Sequence, residues 1–293
     1  MTWELIPVPR TELDLAACLN CGQTFKWIET DRAVWYLLPL TTRTSVLDEF
    51  LISLRQSDHG LEFKCHNSTD MEAVRNVLYD YFRLEIEIEQ KYKEWAERDK
   101  NFSLKMKNMT GIRMLRQDPI ETIFSFICSS NNHISRISKM VCNLISEYGD
   151  LLGKVGEHSF HKFPPLQRLC EPSVEARLKE LGFGYRAKFI PKSAKHLSSL
   201  NRDMKELRSE SYENCLTLLL ELSGVGQKVA DCICLMSLDK LYVVPVDTHV
   251  WQIAKRDYKL DLKAKTVNAN VCRVINAFFV NLFGDLAGWA HTV

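Results

Sequence analysis

The residues best placed for chemistry lie in one stretch, Leu219 to Asp257, which reads LLELSGVGQKVADCICLMSLDKLYVVPVDTHVWQIAKRD. Lys228 stands two residues after Gly226, in the first turn of the helix that QKVADCICLM predicts. The N-terminal end of a helix carries a partial positive charge, so an ammonium is poorly placed there and a lysine needs another reason. Nucleophilic catalysis through an imine is one reason, because the neutral amine is the attacking form; contact with a phosphate is the other. Asp247 follows the run Val243-Val244-Pro245-Val246 and precedes THVWQIAKRD, the position of a helix N-cap. A carboxylate held by helix N–H groups can also stabilise positive charge developing in a substrate or assist proton transfer, so the two roles are compatible. Cys232, four residues after Lys228, shares its helix face and either meets a substrate or packs. His249, near the start of the helix that Asp247 caps, reaches a phosphate or stays a surface histidine.

Gly224 and Gly226 flank Val225 just before the lysine-bearing helix. Glycine allows the turn positive φ values, and the N–H groups of the turn and of the following helix start can then face a phosphate. Such a grip on a nucleic-acid backbone is blind to sequence. Read alone, GVG is also an ordinary helix-to-helix turn.

The scaffold for these residues reads in two parts. From Trp3 to about Phe63, the runs FKWIE, AVWYLLPL, SVLDEFLISLR and LEFKC favour β structure and are separated by Thr, Asp and Ser-rich breaks, which predicts an antiparallel sheet. Asp70 caps MEAVRNVLYDYF, and beyond Asp99 nearly every segment reads as amphipathic helix. Asp118-Pro-Ile-Glu opens PIETIFSFICSS, Gly182 and Gly184 end one helix, and Ser211 starts another that runs to Leu222. The expected arrangement is α+β: a β-rich part over residues 1–100 and a helical body over 101–293, with the hairpin at about 219–240.

Composition narrows the function classes. The chain has 293 residues, 46% of them hydrophobic, which is ample for a buried core and excludes disorder, collagen and disulfide-stapled mini-proteins. No run of about 18 consecutive apolar residues occurs, and Glu4, Glu12 and Asp14 stand where a signal or transit peptide needs basic and apolar residues. A soluble intracellular protein without membrane contact is expected. The net charge of +1 divides unevenly: residues 1–100 carry 12 Lys and Arg against 18 Asp and Glu, whereas residues 101–293 carry 26 against 19. A basic face on the second part suits nucleic acid. The ten cysteines are scattered, several of them in apolar helical patterns, and read as small buried hydrophobes. Cys18 and Cys21 form one CxxC with no second ligand pair nearby, and Cys272 alone follows Cys234, so no four-cysteine iron-sulfur loop is available.

The glycine hairpin, Lys228 and Asp247, with nineteen residues from the lysine to the aspartate, resemble the catalytic core of helix-hairpin-helix DNA glycosylases. A lysine at this position implies combined glycosylase and lyase activity. GVGQKVADCICLM, VPVDTHVW, LRQDPIETIFSFICSSNNHISRI and LGFGYRAKFI are similar to motifs of the eukaryotic-type 8-oxoguanine DNA glycosylases. CGQTFKW resembles that family's GQ-aromatic segment, which lies in a sheet domain like that of the TATA-binding protein. The resemblance runs from Gly22 to Ala290 and implies the following roles.

Lys228 corresponds to the nucleophile that attacks C1′ of the damaged nucleotide, and Asp247 to the carboxylate that stabilises the sugar cation. The imine then permits β-elimination on the 3′ side. Asn131, Arg136 and Arg186 correspond to residues that fill the gap left by the flipped base and read the orphaned cytosine, and Tyr185 to a wedge between base pairs. Taken alone, Asn131-Asn132 is a helix C-cap with a polar loop, and Tyr185-Arg186 is a turn with an aromatic anchor. Unstacking a base costs a few kcal/mol, which wedge and gap-filling contacts offset in part. Gly22 corresponds to the glycine whose carbonyl accepts the N7 hydrogen of 8-oxoguanine, and Cys232 to a pocket wall that forms a charged pair with the lysine. Gly224, Gly226, Val229 and His249 complete the implied DNA-contacting set. The implied partner is duplex DNA carrying 8-oxoguanine opposite cytosine, bound by a monomer in the nucleus or also in mitochondria. No cofactor or catalytic metal is implied, beyond a structural monovalent cation at the hairpin by analogy.

The sequence departs from the family at its far end. A glutamine that reads the base's Watson–Crick edge is replaced by His291, and the family's following helix, with a phenylalanine that stacks on the base, lies past Val293. An imidazole donates and accepts only through nitrogens on opposite sides of its ring, so it cannot reproduce a paired amide contact. Retained DNA binding and lyase chemistry with altered discrimination of 8-oxoguanine from guanine is the expectation. Three other readings compete: a non-catalytic DNA-binding or damage-sensing module, a lyase for other oxidised purines or abasic sites, and a metalloenzyme using Cys18, Cys21 and nearby histidines.

Overall fold

Alternating apolar and polar residues build one antiparallel sheet from β1 (Glu4–Pro7), β2 (Ile28–Trp35), β3 (Leu38–Leu47), β4 (Phe50–Ser57) and β5 (Gly60–Cys65), in the spatial order β1-β5-β4-β3-β2. The computed structural model describes residues 2–35, 38–107 and 109–293, with the side chains of 32–35 and 38–40 left aside. The register pairs Ile52 with Cys65 and Leu54 with Phe63. These four side chains meet Val74, Leu78 and Phe82 of the helix that covers the sheet.

Fourteen α-helices accompany the described strands: α1 (Leu15–Asn20), α2 (Met71–Phe82), α3 (Ile88–Arg98), α4 (Lys100–Met106), α5 (Pro119–Ser129), α6 (Ile134–Tyr148), α7 (Leu166–Leu169), α8 (Val174–Glu180), α9 (Phe189–Ser199), α10 (Tyr212–Leu220), α11 (Gln227–Ser237), α12 (Thr248–Arg256), α13 (Ala269–Phe283) and α14 (Ala287–Ala290). Several starts follow local rules. Asp70 accepts from Ala73 N at α2, Asp118 from Glu121 N at α5 with Pro119 in the first turn, and Ser211 from Asn214 N at α10. α10 ends at Leu220 rather than at Leu222.

The structure corrects the β and helix expectations in four places. SVLDEFLISLR is not one strand, because Asp48 takes φ +49° and the run divides into β3 and β4. AVWYLLPL is likewise shared between β2 and β3, and Tyr36 and Leu37 fall outside the described residues. Leu15–Asn20, within the β-rich part, is helical because Asp14 caps it through Ala17 N. The helical body contains a hairpin, β6 (Leu151–Val155) with β7 (His158–His161), whose turn has Gly156 at φ +57°.

Two cores result. One lies under the sheet, and the larger joins the helices; α3 sends Ile88, Tyr92 and Trp95 into the larger core, while Leu115 returns to the smaller. Arg113, 0% exposed, fastens the two. Its guanidinium donates to the carbonyls of Phe82 (2.6 Å), Glu12 (2.7 Å), Arg83 and Ile86, and to the Glu12 carboxylate at 3.0 Å. A buried charge is tolerable only when it is so fully paired. Asp239, just past the end of α11, clamps Arg83 at 2.6 Å and also pairs with Arg116, tying the helical body to the end of α2. The span Ala269–Ala290 has the length and hydropathy of a membrane-crossing helix, but Val271, Ile275, Phe279 and Phe283 within it pack into the larger core.

Candidate active site

The hairpin joins α10 to α11 through Glu221–Gly226. Gly224 has φ +87°, and a Cβ there would lie 2.7 Å from Phe189 Cδ2, so both backbone and space demand glycine. The Ser193 hydroxyl donates to Ser223 O at 2.9 Å and holds the turn against α9. Gly226 is different. Its φ of −108° is extended backbone, and an added Cβ meets nothing within 4 Å. Gly226 is the N-cap of α11 and supplies no side-chain cap, which leaves the first N–H groups of the helix open to an external acceptor. Gly224→Ala is therefore expected to cost about 1–3 kcal/mol of stability by urea denaturation. Gly226→Ala should leave the free protein within about 0.5 kcal/mol and weaken duplex binding, because only an approaching phosphate backbone would meet the new methyl.

Lys228, half-buried in the first turn of α11, lies 6.0 Å from the ring centroid of Phe126 on α5. Phe126 packs edge-on against Phe25, three residues past Gly22, with centroids 5.7 Å apart. Asp247 caps α12, its Oδ1 accepting from His249 N at 2.9 Å and Val250 N at 3.0 Å. Lys228 and Asp247 both act electrostatically on Cys232 and on His291, so these four residues form one cluster. Burial pushes the Cys232 thiol up to about 11, and neighbouring Lys228 offsets this only in part. Burial thus favours the neutral thiol, where the resemblance implies a charged pair with the lysine.

His291 follows α14, and its Nδ1 is buried without a partner. Burial lowers its pKa to about 4; Asp247 opposes this and Lys228 adds to it. The ring is neutral at physiological pH. A histidine neutral in the fold and protonated when unfolded makes stability fall as pH drops from about 6.5 towards 4. The wild type should therefore lose about 2 kcal/mol more than His291→Gln across that window, by urea denaturation at stepped pH, allowing for the part of the ring that water reaches.

A second cluster forms at the loops 130–133 and 182–186. Tyr185, 51% exposed, donates its hydroxyl to Ser130 O at 3.1 Å and stacks under the Arg186 guanidinium at 4.4 Å. Arg186 is 2% exposed and donates to Ser130 O and, at 3.1 Å, to Asn131 O. Where the resemblance implies a reader of the orphaned cytosine, the free protein has this side chain bracing one loop with the other. Asn131 is exposed at φ +47°, and exposed Arg136 donates to Gly182 O at 3.2 Å. Gly22, at φ +87°, faces Ile134 at the start of α6, on this side of the site.

The Val229 side chain is 6% exposed and belongs to the core, which leaves its N–H, in the first turn of α11, as the group a ligand can reach. The His249 ring is exposed. Phe126 and exposed Ile134 were not singled out from sequence, since nothing distinguishes them from other apolar residues on their helices. The CxxC cysteines serve the local structure. Cys18 donates to Gly111 O and accepts from Arg113 N, and Cys21 donates to Cys18 O. Among the described residues, no group of three or more His, Cys, Asp or Glu comes together as a metal site.

Comparison with known proteins agrees with this geometry. Residues 5–123 match the family described as 8-oxoguanine DNA glycosylase, N-terminal domain, and residues 124–277 match the HhH-GPD superfamily base excision DNA repair protein. The N-glycosylase/DNA lyase OGG1 of Arabidopsis thaliana is 36% identical over 297 residues, covering 99% of this chain and 79% of that protein. The N-glycosylase/DNA lyase of Saccharomyces cerevisiae is 35% identical, covering 98% of this chain and 84% of its own. The crystal structure of Clostridium acetobutylicum 8-oxoguanine glycosylase/lyase, in complex with duplex DNA containing cytosine opposite 8-oxoguanine, superposes with a TM-score of 0.80 at 28% identity, over 96% of this chain and 90% of that one. A sheet of five strands, a helical body and a lysine-bearing glycine hairpin thus place the chain in the HhH-GPD superfamily of base excision DNA repair proteins, within its 8-oxoguanine DNA glycosylase family.

Proposed function

We propose that the protein excises 8-oxoguanine opposite cytosine from duplex DNA and then cleaves the strand at the resulting site. The observation that carries this reading is the cluster of Lys228, Asp247, Cys232 and His291 beside a hairpin whose helix N–H groups are open. The Lys228 amine attacks C1′ as the glycosidic bond breaks and its electron pair leaves with the base. Asp247 stabilises the positive charge on the sugar during that displacement. Ring opening gives the imine, loss of a C2′ proton expels the 3′ phosphate oxygen by β-elimination, and water hydrolyses the imine to free the lysine. Gly224, Gly226, the Val229 N–H and His249 hold the phosphate backbone. Asn131, Arg136 and Tyr185 take the space and partners of the flipped nucleotide, with Arg186 bracing their loop. In the base pocket, the Gly22 carbonyl receives the N7 hydrogen and the neutral Cys232 thiol lines a wall. A structural monovalent cation would take neutral backbone carbonyls of the hairpin, such as Ser223 O, as its ligands.

Neutral His291 favours a particular form of this activity. It offers the base's Watson–Crick edge a single contact where an amide side chain offers a pair, so excision is slowed by roughly tenfold, the equivalent of one lost hydrogen bond, while the ratio over guanine, which shares that edge, stays with the Gly22 carbonyl. Single-turnover excision on 8-oxoguanine:cytosine, guanine:cytosine and abasic duplexes tests both statements. Excision of 8-oxoguanine is expected, faster in His291→Gln, with the ratio over guanine unchanged by that substitution. Cleavage of the abasic duplex alone would replace the reading with that of an abasic-site lyase, and no cleavage of any duplex with that of a binding module.

A further inference from the structure

Asp231 sits on α11 one row around from Lys228 and Cys232, and takes no part in the chemistry above. It is 2% exposed, and its Oδ1 accepts from the Tyr212 hydroxyl at 2.7 Å and from Gln227 Nε2 at 3.0 Å. Both donors are neutral and both end on the same oxygen. Among the described residues no lysine or arginine forms an ion pair with it; Arg273, on the rim of the same cavity, is exposed. Burial pushes this carboxyl up to about 6, only partly offset by the two hydrogen bonds, and no ion pair within the described residues compensates its negative charge. Such an arrangement is costly unless something outside the fold supplies the charge.

The carboxylate lines a cavity of about 520 Å³ between α10, α11, the segment 242–244 and α13. Its walls are otherwise mainly apolar, with Leu216, Val243, Cys272 and Val280, and one side is formed by Tyr212 and Tyr242, whose rings meet edge to face at 6.4 Å. The volume is in the range of small-molecule sites. Asp231 is the buried carboxylate of the lining, and Glu213, which also lines it, is exposed; the two do not make a converging oxygen set for a divalent metal ion, and their charge repels anions.

We infer that this cavity binds a compact organic cation, an ammonium or amidinium on an aromatic or aliphatic body, with its charge on Asp231 and its body against Tyr212 and Tyr242. The tyrosine faces add cation–π attraction to the ion pair. An occupant would touch α11, which carries Lys228, and the segment that runs into Asp247.

Titration of the ¹⁵N-labelled protein with benzamidine, followed by amide chemical shifts, tests the site, with benzamide as the neutral isostere. Saturable shifts confined to α10, α11, residues 242–244 and α13 are expected, at least tenfold weaker with benzamide or in Asp231→Asn. Ala277→Trp fills the cavity from its rim with Asp231 intact and should abolish binding, so the inference stays testable should Asp231→Asn fail to fold. Absence of saturable shifts, shifts that map elsewhere, or affinities indifferent to the amidinium charge or to Ala277→Trp would overturn it.

Discussion

Lys228→Gln should abolish borohydride trapping on both 8-oxoguanine and abasic duplexes, and should lower base excision by at least about 10³-fold, the scale on which enzymes lose rate when a covalent nucleophile is removed. Glutamine keeps the length and polarity of the side chain but has no amine to form an imine. The fold should survive. Lys228 is half-buried beside Phe126, Cys232 and His291, and no ion pair within the described residues depends on it. The urea midpoint should therefore move by no more than about 0.5 kcal/mol equivalent. Duplex affinity should persist as well, because the hairpin N–H groups and the loops at 130–133 and 182–186 are untouched. A variant that folds, binds and fails to trap locates the covalent step at this residue, whereas trapping that persists would move the imine to another amine.

The lysine, the aspartate and the hairpin glycines were legible in the sequence because each obeys a local rule. A lysine in the first turn of a helix is conspicuous for its charge, an aspartate before THVW reads as a cap, and Gly224 sits where only a positive φ closes the turn. What escaped depends on burial by distant residues. Nothing near Cys232 in sequence shows that desolvation outweighs the adjacent lysine and keeps the thiol protonated. Arg186 looks like a surface reader until its guanidinium is found beneath the Ser130 and Asn131 carbonyls, more than fifty positions away. Arg113 is similar: five acceptors from Glu12 to Ile86 converge on it, and no window of residues around position 113 contains any of them. The β6–β7 hairpin was missed for another reason. Its strands are four and five residues long, too short for alternation to stand out among helices, although Gly156 marks the turn.

Asp247 has two possible duties, and two substitutions separate them. Asparagine caps a helix about as well as aspartate, so Asp247→Asn should leave stability within about 0.5 kcal/mol, while Asp247→Ala removes the acceptor of His249 N and Val250 N and should cost about 1 kcal/mol by urea denaturation. Both variants lose the negative charge. If that charge stabilises the sugar cation, both should excise 8-oxoguanine about 10²–10³-fold more slowly in single turnover, as when one preorganised electrostatic contact is removed. On a duplex that is already abasic, the imine forms from the open-chain aldehyde without a glycosidic bond to break, so trapping there should fall much less than excision does. Asparagine thus keeps the cap and loses the rate, and the abasic substrate restores most of the chemistry. Normal excision by Asp247→Asn, combined with reduced stability in Asp247→Ala, would leave the aspartate only its structural duty and require another group to carry the developing charge on the sugar.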